Sequence, residues 1–275
     1  MSTVAVCVKW VELHPTIDPL TGEVSSDDRR RGFSDSDRAA LEVALRLAGQ
    51  RGAEVAIVHV GPAAAEGSVR ELAASGASRI VHAVAADGLP SAAVGAAIAD
   101  AIAGELPDAE LVVAGDYSID RGSGSVPSFV AHRLGWAQAC GLIAVADDGG
   151  SGVRRLDGGR REHVQWTGPA VLSVEGSVAR LRRASLRDVL AAKQLPYARR
   201  AVEPALGHAP DIGPTEPLRP RARAFPAPHG DRALARIVEL TGALVARTPP
   251  RRVEAAPADA AAAIVDQLRA WGYLD

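Results

Sequence analysis

Aromatic residues make up only 4% of this 275-residue chain, so it has few of the stacking platforms that single-stranded nucleic-acid binders need. Its formal net charge of −2 offers no basic excess, which argues against a nucleic-acid or membrane-surface binder. Two cysteines, Cys7 and Cys140, are too few for a disulfide framework. Cys7 sits in a buried-strand pattern and reads as the reduced core thiol of a cytoplasmic protein. No apolar run approaches the roughly 20 residues of a membrane helix, so direct membrane insertion is not expected. No basic region followed by a long apolar stretch opens the chain, so a signal peptide is not expected either. Lysine is scarce as well. Of 31 basic residues only Lys9 and Lys193 are lysines, and with so many alanines this is the mark of a coding bias toward Ala and Arg. Either the two are needed as lysines or they persist by chance.

Catalytic chemistry is also missing. The seven histidines (His14, His59, His82, His132, His163, His208 and His229) show no i, i+4 pair and no cysteine cluster, so no metal site is expected. His59 and His82 fall at strand positions and read as core histidines with satisfied rings. There is no G-x-S-x-G elbow, no Gly-Lys-Ser/Thr loop and no G-x-G-x-x-G spacing. Asp35, Asp37 and Glu42 open a helix, where caps and first-turn acids account for them. Such a chain reads as a binding or carrier protein without catalytic residues of its own.

What is present is alternation. Val4–Val11, Glu54–Val60, Ser78–Val84 and Glu110–Ala114 are short apolar runs of the kind buried in a parallel sheet. Helical patterns over Asp35–Gln50, Ala64–Ser75 and Ser91–Glu105 separate them. The pattern implies an α/β fold, a doubly wound, mostly parallel sheet with right-handed crossovers, whose ligands bind off the carboxyl ends of the strands. The most telling segment is 111–136. An apolar strand ends at Gly115, a small-residue loop follows, and a helix begins near Pro127. Gly122, Ser123, Gly124 and Ser125 allow close backbone approach to a ligand and add hydroxyls, and a helix N-terminus favours negative charge. The same segment also reads as a tight crossover loop that binds nothing.

After residue 140 the pattern changes. Gly152–Leu156, His163–Trp166, Ala170–Glu175 and Ala179–Leu181 look like antiparallel hairpins added to the sheet edge. Ser185–Lys193 reads as a short helix. From Pro196 to Pro228 the chain carries eight of its 18 prolines, which suggests a linker. A short strand over Ala235–Leu240 and a helix from about Pro257 to Gly272 are expected beyond it. This divides the chain into a nucleotide-binding domain, 1–195, and a C-terminal arm, 196–275, that contacts a partner subunit.

Taken together, these pieces resemble the beta subunit of electron transfer flavoproteins. Cys7-Val8-Lys9-Trp10-Val11 looks like that family's Ala-Val-Lys-Arg-Val start. Ser34-Asp35-Ser36-Asp37-Arg38-Ala39-Ala40-Leu41-Glu42 is similar to its Asn-Pro-Phe-Asp-Glu-Ile-Ala-Leu-Glu. Gly61-Pro62 and Ser75-Gly76-Ala77-Ser78-Arg79 match its Gly-Pro and Met-Gly-Ala-Asp-Arg. The 111–136 segment is similar to a Gly-Lys-Gln-Ala-Ile-Asp-Asp-Asp-x-Asn-Gln-Thr-Gly loop. Arg183-Ala184-Ser185-Leu186, with Ala192-Lys193, looks like Tyr-Ala-Thr-Leu-Pro and the lysines after it.

The resemblance implies a Rossmann-like adenine-nucleotide-binding fold paired with a larger alpha subunit that holds most of one FAD. It further implies a structural AMP, or a second FAD, in the beta cleft, touching Cys7, Lys9, Ser34, Val60, Asp120, Ser123, Gly124, Ser125 and Val126. His14 and Ser36 would lie near the partner-held FAD. Ser185, Leu186 and Arg187 would dock the dehydrogenase that donates electrons, which pass on to a quinone reductase or similar acceptor. There are departures: Asn-Gln-Thr becomes Gly124-Ser125-Val126, Ser36 replaces an aromatic, and Arg187 replaces a proline. A stand-alone adenine-nucleotide-binding protein resembling the universal stress proteins is the alternative, although their G-x-x-G-x-(8–10)-G-S/T loop does not follow Gly115.

Overall fold

Uninterrupted Val, Ile, Leu and Ala runs become the middle of one nine-stranded sheet. In this computed structural model, residues 2–202, 227–242, 252 and 254–274 are described. The chain divides into two units, Met1–Leu218 and Arg219–Asp275. In the first unit the strands are β1 (Thr3–Val8), β2 (Glu54–Gly61), β3 (Arg79–Val84), β4 (Ala109–Gly115), β5 (Ala137–Val145), β6 (Ser151–Arg155), β7 (Arg161–Gln165), β8 (Ala170–Val174) and β9 (Tyr197–Ala201). Their order across the sheet is β7-β6-β5-β8-β4-β1-β2-β3-β9. Seven strands from β5 to β9 run parallel, and β6 and β7 form an antiparallel hairpin on the β5 edge.

The helices of this unit are α1 (Asp35–Arg51), α2 (Glu66–Ala73), α3 (Ser91–Glu105), α4 (Val126–Leu134) and α5 (Leu186–Ala192). Side chains alternate along a strand, so β1 feeds two cores. Val4, Val6 and Val8 pack with α1 and α2 on one face. Ala5 and Cys7 pack with α3 and α4 on the other. The doubly wound expectation therefore holds. From β1 the chain steps outward through β2 to β3, then returns across β1 to β4. The sheet reverses direction between β1 and β4, and a cleft opens at the carboxyl ends of those strands.

Three expectations are corrected. Ala170–Val174 is not part of an edge hairpin: β8 lies inside the sheet, parallel to both β4 and β5, and is fully buried. Ala179–Leu181 forms no strand. Tyr197–Ala201, placed in the linker, pairs with β3 as the far edge strand, so the sheet continues past residue 195. The sequence reading also missed β5, whose Gln138, Cys140 and Gly141 interrupt any apolar run.

In the second unit, Ala235–Leu240 is not a strand but lies within α6 (Ala233–Thr241). Leu234, Ile237, Val238 and Thr241 follow the helical i, i+3, i+4 spacing, and in so short an apolar stretch both periods fit. The expected final helix is α7 (Pro257–Ala270), with proline in its first turn. Both helices and the C-cap of α7 carry large exposed apolar residues, among them Leu234, Ile237, Leu240, Ile264 and Trp271. Most of the proline-rich stretch, residues 203–226, lies outside the described residues. Among the described residues no helix is long and apolar enough to cross a membrane.

Candidate functional site

The cleft at the β1–β4 reversal has a volume of about 400 Å³. Its floor is the end of β1 and the start of the following loop, Cys7 to Lys9. One wall is Val60 and Gly61 at the end of β2, and the other is the 115–127 loop leading into α4. Of the residues expected at a nucleotide, Cys7, Lys9, Val60, Asp120, Ser123, Gly124, Ser125 and Val126 all line it.

The 115–127 loop is built for close approach. Gly124 has φ +59°, and a Cβ there would fall 2.5 Å from the Asp116 carbonyl oxygen, so the chain folds back on itself where only glycine fits. At the start of α4 no side chain caps the first turn, and Pro127 occupies a position where an N–H would have no helical partner. Ser123 and Ser125 hydroxyls lie 3.0 Å apart beside that open end.

Across the cleft Lys9 Nζ donates to both Asp120 oxygens at 2.7 and 2.6 Å, a pair about one-third exposed. Burial pushes the Asp120 carboxyl up, but hydrogen bonds from Lys9 and Ser118 and the lysine charge outweigh it and hold it below its ordinary value. Asp37 forms the second anionic point. It accepts the Lys9 N–H at 3.2 Å and the Ser34 N–H and hydroxyl at 3.0 and 2.6 Å. Burial nevertheless lifts it to about 6. Burial and the Asp37 charge push the Cys7 thiol up to about 12, so this sulfur is an unreactive part of the floor.

One residue expected at the nucleotide, Ser34, does not line the cleft; Ser36 and His14 are the two expected near the partner-held FAD. Ser34 is buried as the N-cap of α1, in a reciprocal capping box with Asp37, and does not line the cleft. Ser36 is buried two residues on, its hydroxyl donating to Asp116 at 2.9 Å. Both serines hold α1 in place. His14 is exposed in the long 9–34 loop, which is stiffened by a short ladder between Val11–Glu12 and Arg31–Gly32.

Sequence reasoning missed Trp10, Arg31, Asp87 and Arg121, which also line the cleft. Arg31 stacks over Trp10 at 4.3 Å and donates to Asp87 at 2.7 Å. Arg121 donates to the Gly88 and Leu89 carbonyls at 2.8 and 3.0 Å. Two arginines thus tie the 87–89 loop over the cleft. No local motif signals this, because the partners are 32 to 56 residues apart.

Beneath the β2 wall, the His59 and His82 rings pack together at 4.8 Å between centroids, tilted by 53°. His59 Nδ1–H donates to the Val8 carbonyl at 3.0 Å, which leaves Nε2 bare. Gly61 leaves room for that ring, since a Cβ there would come within 2.7 Å of Nε2. His82 Nε2–H donates to the Gly61 carbonyl, and its Nδ1 accepts from the Tyr197 hydroxyl at 2.6 Å. Burial pushes His59 down to about 4 and lowers His82 too, so both are neutral at pH 7. His82 is the satisfied core histidine expected; His59 is satisfied at one nitrogen only.

The expected docking residues form the start of α5. Ser185 caps it in a second capping box, with Asp188, and Leu186 is 75% exposed rather than packed inward. Among the described residues no cluster of acidic, histidine and cysteine side chains has the arrangement of a metal site.

A family profile for the electron transfer flavoprotein domain matches residues 22–205. The chain is 31% identical over 222 residues to the electron transfer flavoprotein subunit beta of Methylophilus methylotrophus, covering 77% of this chain and 82% of that one. It is 33% identical over 209 residues to the subunit beta of Mycobacterium tuberculosis, covering 70% and 77%. It is 29% identical over 202 residues to protein FixA of Azorhizobium caulinodans, covering 69% and 71%. With the doubly wound sheet, the cleft at its reversal and these similarities in hand, the chain belongs to the electron transfer flavoprotein family, as a divergent member of its beta-subunit branch.

Proposed function

We propose that the chain is the beta subunit of a cytoplasmic heterodimer whose alpha subunit holds most of an FAD. The pair carries electrons from a partner dehydrogenase to an acceptor such as a quinone reductase. FAD supplies the redox chemistry when bound; this chain shapes one side of its surroundings and binds a nucleotide of its own. Ser36 has its hydroxyl committed to Asp116, so His14 is the better placed of the two to meet the flavin.

The observation that carries the nucleotide reading is the uncapped start of α4 beside the glycine-serine loop, opening into a cleft at the sheet reversal. Loss of the family's Asn-Gln-Thr side chains leaves backbone N–H groups and the two serine hydroxyls as phosphate donors. AMP fits this set, with its phosphate at Ser123–Val126 and its base between Cys7 and Val60. In this reading Ser34, buried as the α1 cap, is not among the nucleotide's contacts. In the second unit, the apolar faces of α6 and α7 suit a surface on the alpha subunit.

Co-expression with an alpha subunit and a visible absorption spectrum test the assembly. A yellow complex that loses its flavin when either chain is omitted is expected; a colourless, separately stable chain would overturn it. Heat denaturation of the complex followed by chromatography identifies the second nucleotide: AMP is expected, a second equivalent of FAD would reassign the cleft, and no nucleotide would reduce the loop to a crossover.

A further inference from the structure

A second cleft, of about 780 Å³, lies on the α1 face of the sheet, between the start of α1, the outer side of α2 and the segment from Gly176 to Ala184. Five arginines line it, Arg31, Arg38, Arg180, Arg182 and Arg183, against two carboxylates, Asp35 and Glu71. Two of the five are already paired: Arg182 donates to both Glu42 oxygens at 2.8 and 2.9 Å, and Arg31 to Asp87. Arg38 donates only to the Phe33 carbonyl. Among the described residues, Arg38, Arg180 and Arg183 have no carboxylate within 4.0 Å, and all three are exposed.

Three unpaired guanidinium groups in one concave site make a strong attractor for anions, and each presents a planar fork that matches a carboxylate. Phe33, Leu72 and Leu181 also line the cleft, which favours an anion carried on side chains over a bare inorganic one. The groove also runs into α5. Val189 lines it, and Leu186, one turn earlier on the same helix, stands exposed.

We propose that this groove docks an acidic peptide segment of the electron-donating partner, whose carboxylates bind Arg38, Arg180 and Arg183. The proposal rests on Ser185–Arg187 being the docking segment and adds to it the chemistry of the partner's surface. Charge makes the encounter fast and salt-dependent.

The test uses the assembled alpha–beta complex and a fluorescein-labelled peptide, Glu-Glu-Leu-Asp-Glu, followed by fluorescence anisotropy at low and high salt. Arg180→Glu with Arg183→Glu should weaken peptide binding at least tenfold and flatten its salt dependence. Arg160→Glu with Arg161→Glu, an equal charge change on the exposed β6–β7 hairpin, should change it less than twofold. Equal losses in the two variants would overturn the proposal, because only net charge would then matter. Displacement of the peptide by micromolar inorganic pyrophosphate would overturn the peptide occupant in favour of a phosphate ligand. Leu186→Ala should leave peptide binding within twofold while slowing reduction by the dehydrogenase. If the groove variant binds peptide and accepts electrons like the parent while Leu186→Ala is slow, the groove fails and the docking segment stands. If neither variant alters reduction, the docking segment fails.

Discussion

Leu186→Ala separates a docking side chain from a packing one. Fully burying a leucine is worth about 1.5–3 kcal/mol, and three-quarters of this one is available to a partner because 75% of it faces solvent. Its loss should therefore weaken the encounter by about 1–2 kcal/mol, or roughly fivefold to thirtyfold at 1.4 kcal/mol per decade. Stability should hardly change: the residue contributes little to the core, and the Ser185–Asp188 capping box does not depend on its side chain. The assay is stopped-flow reduction of the complex by its dehydrogenase at concentrations below saturation, beside urea unfolding of the same variant. A fall in the second-order rate with an unchanged unfolding midpoint is the expected result. A rate equal to the parent's would refute the docking argument, and a shifted midpoint would show that the leucine supports the fold.

Gly124→Ala should lower stability by about 1–3 kcal/mol and empty the cleft, since its Cβ would meet a backbone oxygen at a positive φ; retained nucleotide at parental stoichiometry would contradict this. Ser185→Ala should cost about 1 kcal/mol or less, confined to α5, and hydrogen exchange at 186–192 reads it directly. Acid should destabilise the first unit through His59. Its folded value near 4 lies below the ordinary histidine value of 6.5, so its stabilisation is complete above the latter and is lost as pH falls toward 4, about 3 kcal/mol in all. Asp37 acts in the opposite sense: its value is raised to about 6 by burial, so its contribution declines as pH climbs from about 4 to 6. Comparing urea midpoints at pH 7 and pH 4.5, His59→Gln should therefore lose less on acidification than the parent; equal losses would remove His59 from the account.

Much of the fold is written locally. The apolar runs that become β1, β2, β3 and β4, the Ser34 and Ser185 caps and the prolines opening α4 and α7 are properties of neighbours in sequence, and they place a glycine-serine loop at the end of a buried strand. The family resemblance added the order of the pieces. The candidate cleft was legible to the same extent: its floor and loop, from Cys7 to Lys9 and from Asp120 to Val126, are carried by those local elements. Only the tertiary structure decided which of these residues face the ligand space. Ser34 and Ser36 turn inward because capping and the Asp116 bond claim their hydroxyls, while Arg31, Asp87 and Arg121 meet over the cleft from three separate loops. It also set β8 between β4 and β5 and made Tyr197–Ala201 the sheet's far edge, because strand pairing joins residues whose separation along the chain leaves no local trace.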